Sequence, residues 1–127
     1  MIKEFKIPNV IFEESNYTPW EYLRKSKVFI SIQKDNNYPS QSVIEAMACE
    51  NAIIASNVGE THKLVSENEG ILVNLESEEI CNAIIKLLSE ENYRTELGKN
   101  AREKVLSTQT IESFYNYFID ITQYQKS

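Results

Sequence analysis

Aspartate is nearly absent from this chain. Of 19 acidic residues only Asp35 and Asp120 are aspartates. A receiver-type phosphoacceptor domain has a similar length, but it needs an aspartate after a strand and further acids beside it to hold magnesium. Asp35, alone near the middle of the sequence, cannot build that site. Glycine and proline are equally scarce, three of each, which excludes a linker-rich, collagenous or low-complexity chain. The two cysteines, Cys49 and Cys81, form no CxxC pair, and His62 is the single histidine. Neither a disulfide framework nor a metal constellation can be assembled from them. Both cysteines are expected as small core residues of a reduced protein. No apolar run approaches the roughly 20 residues that span a bilayer. The first residues, Met1 to Lys6, carry too much charge for the apolar core of a signal peptide. Basic excess is missing too: the formal charge is −6, which argues against a broad nucleic-acid surface.

What is present fits one domain of 127 residues with 42% hydrophobic residues, enough for a buried core. Short β-branched runs alternate with longer helical patterns. Asn9 to Glu13 reads as a short strand after Pro8. Thr18, Pro19 and Glu21 mark a helix start, as cap, first helical residue and capping-box partner. That helix runs to about Ser26 and is followed by a strand over Lys27 to Ile32. A polar loop over Asp35 to Ser40 leads into a helix over Ser40 to Cys49, with Val43, Ile44, Met47 and Ala48 on its apolar side. Ala52 to Ser56 is a continuous apolar strand, the kind buried on both faces of a parallel sheet. A turn at Gly59 and a short helix over Thr61 to Ser66 precede a strand over Gly70 to Asn74.

Three helices close the chain. Ser77 to Ser89 carries Ile80, Ala83, Ile84, Leu87 and Leu88 at helical spacing, with Ser77 as its expected cap. Glu91 to Val105 carries Tyr93, Leu97, Ala101 and Val105. Thr110 to Tyr124 carries Ile111, Phe114, Tyr115, Phe118 and Ile121, a stripe suited to core packing or to an interface with another domain. Strands alternating with helices predict an α/β fold with a mainly parallel, Rossmann-like sheet of about four strands flanked by helices.

In open parallel sheets, ligands bind beyond the carboxyl ends of the strands. The richest such segment follows Ile32, where Asn36, Asn37, Tyr38, Ser40, Gln41 and Ser42 crowd the start of a helix. Backbone N–H groups and the helix dipole there favour an anion such as phosphate. Glu45 lies one to two turns in, placed to accept hydrogen bonds from two vicinal hydroxyls, as on a ribose. The turn after Ser56, with Gly59 and Glu60, is a further contact candidate. Each residue also has a plainer reading: Ser40 as a helix cap, Asn36 and Asn37 as loop, Glu45 as a solvated helix residue, Gly59 as a turn glycine and His62 as surface.

Ser40-Gln-Ser-Val-Ile-Glu-Ala-Met-Ala-Cys49, then Ala52-Ile-Ile-Ala-Ser-Asn-Val-Gly59, then Gly70-Ile-Leu-Val73 resembles the donor-binding region of the "group 1" family of retaining GT-B glycosyltransferases. The family pattern reads E-x7-E-A-M-A-x-G-x-P-V-I-A-S, then G-G, then G-x-L-V. Tyr22 to Ile30 resembles the preceding helix and strand, and the resemblance runs from about Asn9 to Ile121. It implies that Glu45, matching the second glutamate, binds ribose hydroxyls of a nucleoside diphosphate sugar. Asn37 stands where the first glutamate contacts the donor sugar. An amide there hydrogen-bonds a hydroxyl but brings no charge to a developing oxocarbenium ion. Ser40, Gln41 and Ser42 fall where backbone amides of the family meet the donor sugar or phosphate. Glu50-Asn51-Ala52 replaces glycine-x-proline, and Glu60 replaces the second glycine of G-G.

The resemblance implies a parent reaction: transfer of a sugar, of the hexosyl type, from a nucleoside diphosphate sugar to a saccharide or lipid-linked acceptor. It implies retention, no resident cofactor and no metal. It also implies a cytoplasmic location, peripheral at the inner face of the membrane where the acceptor is lipid-linked. On this reading residues 1–127 are a partial donor-binding domain of a GT-B C-terminal domain. The acceptor domain and the first two strands are then absent, together with their pyrophosphate-neutralising basic residues, which Lys3 and Lys6 do not match. Catalysis needs both walls of the cleft, so the chain alone is expected to transfer sugar poorly. The family sheet order 3-2-1-4-5-6 would leave the strand beginning at Lys27 with an open edge. That predicts docking of the Asn9 strand on it, or pairing with a second copy or with a partner supplying the missing half. Two other readings are a non-catalytic half-domain that assembles with such a partner and a fragment of a GT-B-type nucleotide-sugar epimerase.

Overall fold

A strand covered on both faces needs apolar or small side chains at every position, and Ala52–Ser56 supplies them. The computed structural model describes residues 7–14 and 18–124. Its elements are α1 (Pro19–Leu23), β1 (Val28–Ser31), α2 (Gln41–Ala48), β2 (Ala52–Ser56), α3 (Thr61–Leu64), β3 (Gly70–Val73), α4 (Ser77–Ser89), α5 (Glu91–Thr108) and α6 (Ile111–Tyr124). The three strands form a parallel sheet in the order β1-β2-β3. Val28 pairs with Ala52, and Ile53 with Gly70. All five residues of β2 are buried.

Alternation along the strands divides the core into two layers. Ile53 and Ala55 pack with Leu23, Val43, Ala46, Met47, Leu64, Ala101 and Val105 on one face. Ala52 and Ile54 pack with Val73, Ala83, Leu87 and Leu97 on the other. Burying an isoleucine stabilises by roughly 1.5–3 kcal/mol, so the fully buried Ile53 and Ile54 anchor both layers at the central strand. Helix α5 serves both faces, with Leu97 in one layer and Ala101 and Val105 in the other.

The amino-terminal end of the sheet is tightly tied. The C-terminus of α2 closes with Glu50 N–H donating to Met47 O (3.0 Å) and Asn51 N–H to Ala46 O (3.1 Å). This is the paired ending that normally places glycine in the left-handed position. Glu50 occupies it with φ of 62°. Asn51 is fully buried, and its Nδ2 donates to Leu23 O (2.9 Å) and Ala46 O (3.2 Å), joining α1 to α2. Arg94 is buried and donates to Leu87 O (2.9 Å), satisfying a carbonyl in the last turn of α4.

Several expectations are corrected. Asn9 to Glu13 is not a strand: the segment is exposed and has no ladder partner among the described residues. It therefore does not dock on β1, and the described sheet has three strands where about four were expected. Strand propensity alone does not make a strand; the ladder needs a neighbouring edge in register. The edge of β1 away from β2 is unpaired among the described residues, with Ile30 and Ile32 exposed. Glu76, not Ser77, is the N-cap of α4. Cys49 is half-buried against the core, but Cys81 is exposed rather than a core residue. The α6 stripe is not core either, since Ile111, Phe114, Tyr115 and Phe118 are all more than half exposed. Met1 to Lys6, including Lys3 and Lys6, lie outside the described residues.

Candidate functional site

The carboxyl ends of β1 and β2 open into a small cleft of about 20 Å³. Ser31, Gln33, Ala55 and Ser56 form its floor. Asn37, Tyr38, Ser40 and Val43 form one wall, and Val58, Thr61 and Leu64 the other. The floor is fixed by Ser56, whose buried hydroxyl accepts the Gln33 N–H at 2.9 Å. That bond holds the exit of β1 against the end of β2.

Of the residues expected at the site, Asn37, Tyr38 and Ser40 line this cleft. Ser40 is the N-cap of α2 by position, with extended backbone, yet its side chain caps nothing. Its hydroxyl is paired with that of Ser42 (3.2 Å). No described group accepts the N–H of Gln41, Ser42 or Val43. The first turn of α2 thus presents open donors and the positive end of the helix dipole beside the cleft. Gln41 and Glu45 lie outside the lining. Gln41 Nε2 donates to Glu45 Oε1 at 3.3 Å, which orients the half-buried carboxylate one turn below the open amides.

Gly59 and Glu60 also stand outside the lining, behind the second wall. Gly59 has φ of 52°, and a β-carbon on it would fall 2.4 Å from the Asn36 side chain. The Glu60 carboxylate pairs with Lys63. The Lys63 hydrogen bond and then its charge hold the Glu60 carboxyl below its ordinary range, and the same contact raises Lys63. Lys63 Nζ lies 5.9 Å from the centroid of the Tyr38 ring. His62 is exposed, as its plainer reading held.

Gln33, Ser56 and Thr61 were not singled out from sequence. Ser56 ends the one strand whose burial was plain, and a hydroxyl at the carboxyl end of such a strand is the signal that could have found it. Among the described residues no group of three His, Cys, Asp or Glu side chains could hold a metal ion. No described helix is long and apolar enough to cross a membrane.

This arrangement matches known proteins. Over 121 residues the chain is 31% identical to the capsular polysaccharide biosynthesis glycosyltransferase CapM of Staphylococcus aureus, covering 88% of this chain and 32% of CapM. Its fold superposes on sucrose-phosphate synthase from Thermosynechococcus elongatus with a TM-score of 0.80 at 24% identity, covering 99% of this chain and 33% of that one. It superposes equally, at 0.80 and 20% identity, on Anabaena HepE in complex with UDP-glucose, covering 98% of this chain and 35% of that one. The chain therefore spans about a third of the length of each. Those solved structures establish the GT-B type of α/β fold. The family model described as "Glycosyl transferases group 1" matches residues 1–104, which include every described strand and the whole cleft lining, and the chain belongs to that family.

Proposed function

We propose that this chain supplies the donor side of a retaining glycosyltransferase, one that moves a hexosyl group from a nucleoside diphosphate sugar to a saccharide or lipid-linked acceptor. The observation that carries the reading is the open first turn of α2 beside the cleft, with Glu45 one turn below it. The N–H groups of Gln41, Ser42 and Val43 can hold a phosphate or sugar oxygen. Glu45 then accepts from the ribose hydroxyls, and Asn37, Tyr38 and Ser40 meet the sugar side. The donor is a substrate, and the proposed chemistry uses no resident cofactor. Family membership supports glycosyl transfer. CapM, by its name, serves capsular polysaccharide biosynthesis, and HepE was solved with UDP-glucose, which together favour a sugar nucleotide as donor in polysaccharide assembly.

Calorimetric titration tests this reading. The wild-type chain is expected to bind a UDP, GDP or ADP sugar, and Glu45→Ala to weaken it about tenfold or more, the range for a lost hydrogen bond to a charged group. The 2′-deoxyribose analogue is expected to bind wild type and Glu45→Ala more nearly alike. Equal loss with both ligands contradicts the ribose role.

A second reading draws on the open edge of β1, where Ile30 and Ile32 are exposed. Unpaired apolar edges invite strand addition. In this reading the chain is a non-catalytic module that assembles through this edge, with a second copy or with a partner chain. Analytical ultracentrifugation with and without Ile30→Lys separates the two: self-pairing through β1 would be abolished by the charge.

A further inference from the structure

The two walls of the cleft come from segments far apart in sequence, and one exposed side chain joins them. Asn36 Oδ1 accepts the N–H of Tyr38 at 3.2 Å, within the β1–α2 loop. The same oxygen accepts the N–H of Glu60 at 3.2 Å, across to the β2–α3 turn. Gly59 lies flat on the Asn36 side chain, with no room for a β-carbon. The contacts then close into a ring. Glu60 pairs with Lys63, and Lys63 returns to the Tyr38 ring.

We infer that Asn36 is a positioning residue that latches the two walls into one unit and thereby sets Tyr38 and Ser40 for the donor. The inference rests on the proposed donor site and deepens it. Asn36 lines no part of the cleft, so its effect passes through the residues it holds. One side-chain oxygen bridging two backbone donors fixes their separation more tightly than either loop could alone. Tyr38 and Ser40 follow Asn36 within four residues and lie in the wall, so any drift of the loop moves them. The ring also gives Glu60 a use, in the position where the family pattern has glycine. Its N–H reaches Asn36 as a glycine's would, and its carboxylate adds the Lys63 strut.

The test uses amide hydrogen exchange by NMR on the full chain, free and with UDP-glucose, GDP-mannose or ADP-glucose. Asn36→Ala is expected to speed exchange at both Tyr38 and Glu60 by about tenfold, together, as each amide loses its acceptor. Exchange at Ile53 and Ile54 in the core should not move. Asn36→Asp keeps an acceptor oxygen and should restore both amides. Affinity for the preferred sugar nucleotide should fall about fivefold in Asn36→Ala and recover in Asn36→Asp, a rescue that general loosening of the fold would not show. Exchange that changes at only one amide, or at neither, overturns the latch. Unchanged affinity despite coupled exchange overturns the positioning role. If the wild-type chain binds none of the three nucleotides, the donor reading fails and the positioning role fails with it, while the exchange result still decides the latch.

Discussion

The carbonyl oxygen of Glu50 occupies the place where a β-carbon on Gly98 would go, 2.2 Å away. Helix α5 approaches the end of α2 that closely because Gly98 has no side chain. The contact closes the end of the sheet opposite the cleft. Alanine is the better helix former by about 1 kcal/mol, but here the clash is with backbone. Gly98→Ala is expected to lose about 1–3 kcal/mol, the scale of overpacking. Urea unfolding followed by circular dichroism checks the sign. A stabilised variant would mean that α5 does not sit against Glu50.

Glu50 itself carries a second consequence. It holds φ of 62° in the paired ending of α2, where residues with a β-carbon are disfavoured. Its ion pair with Arg102 is long, at 3.7 Å, and exposed on both sides, so it returns little. Glu50→Gly is expected to stabilise the chain by about 1 kcal/mol. A shift of the urea midpoint to higher concentration, with unchanged slope, would register it.

Glu69 should make stability depend on pH. Burial raises its pKa, but the Ser66 N–H and hydroxyl, each at 2.8 Å, and Lys104 at 3.2 Å outweigh that and lower it from the ordinary 4.5. A depressed carboxyl contributes stability above its unfolded pKa and loses it as pH falls through the folded value. Glu69→Gln is therefore expected to be less stable than wild type at pH 7. The gap should close as pH drops below the ordinary value and through the lowered folded one. A gap that stayed constant from pH 7 to pH 3 would contradict this assignment.

Ser56→Ala is expected to loosen the cleft floor. The substitution leaves the Gln33 N–H without its acceptor in a part-buried position. The loss should be about 1–3 kcal/mol. Faster amide exchange at Gln33 would locate it, and an unchanged Gln33 would show that the floor is held by other means.

Much of the architecture was legible because single segments encode it. Ala52–Ser56 announces a strand buried on both faces by its composition alone, and the spacing of Ala83 and Leu87 places α4 against the sheet. The segment around Asn9 was misread for a physical reason: β-branched residues mark strand propensity, but a strand exists only with a partner edge. Ser40 was correctly placed at the start of α2, yet its hydroxyl turns to Ser42, so the amides it might have capped remain open. The latch at Asn36 was illegible because its partner, Glu60, lies 24 residues away and contributes a backbone N–H that carries no sequence signature. Arg94 was hidden likewise, since a charged helix residue reads as solvated until its carbonyl partners on α4 are in view.

The departure at Asn37 bears on chemistry rather than fold. It lines the cleft as an amide where the family pattern has a carboxylate. Asn37→Glu is expected to leave folding unchanged and to alter how much the sugar adds to donor binding, read as a change in the relative affinities for UDP-glucose and UDP. Identical ratios in both proteins would place residue 37 away from the sugar.

The central claim, that the open turn of α2 is a donor site, is tested most directly by amide-shift NMR titration. The chain would be titrated with UDP, GDP and ADP sugars, and the series repeated on Glu45→Ala. Saturable shifts are expected at Asn37, Ser40, Gln41 and Ser42 with one base preferred, and weaker binding in the variant. A folded chain showing no shifts at these amides with millimolar ligand would contradict it.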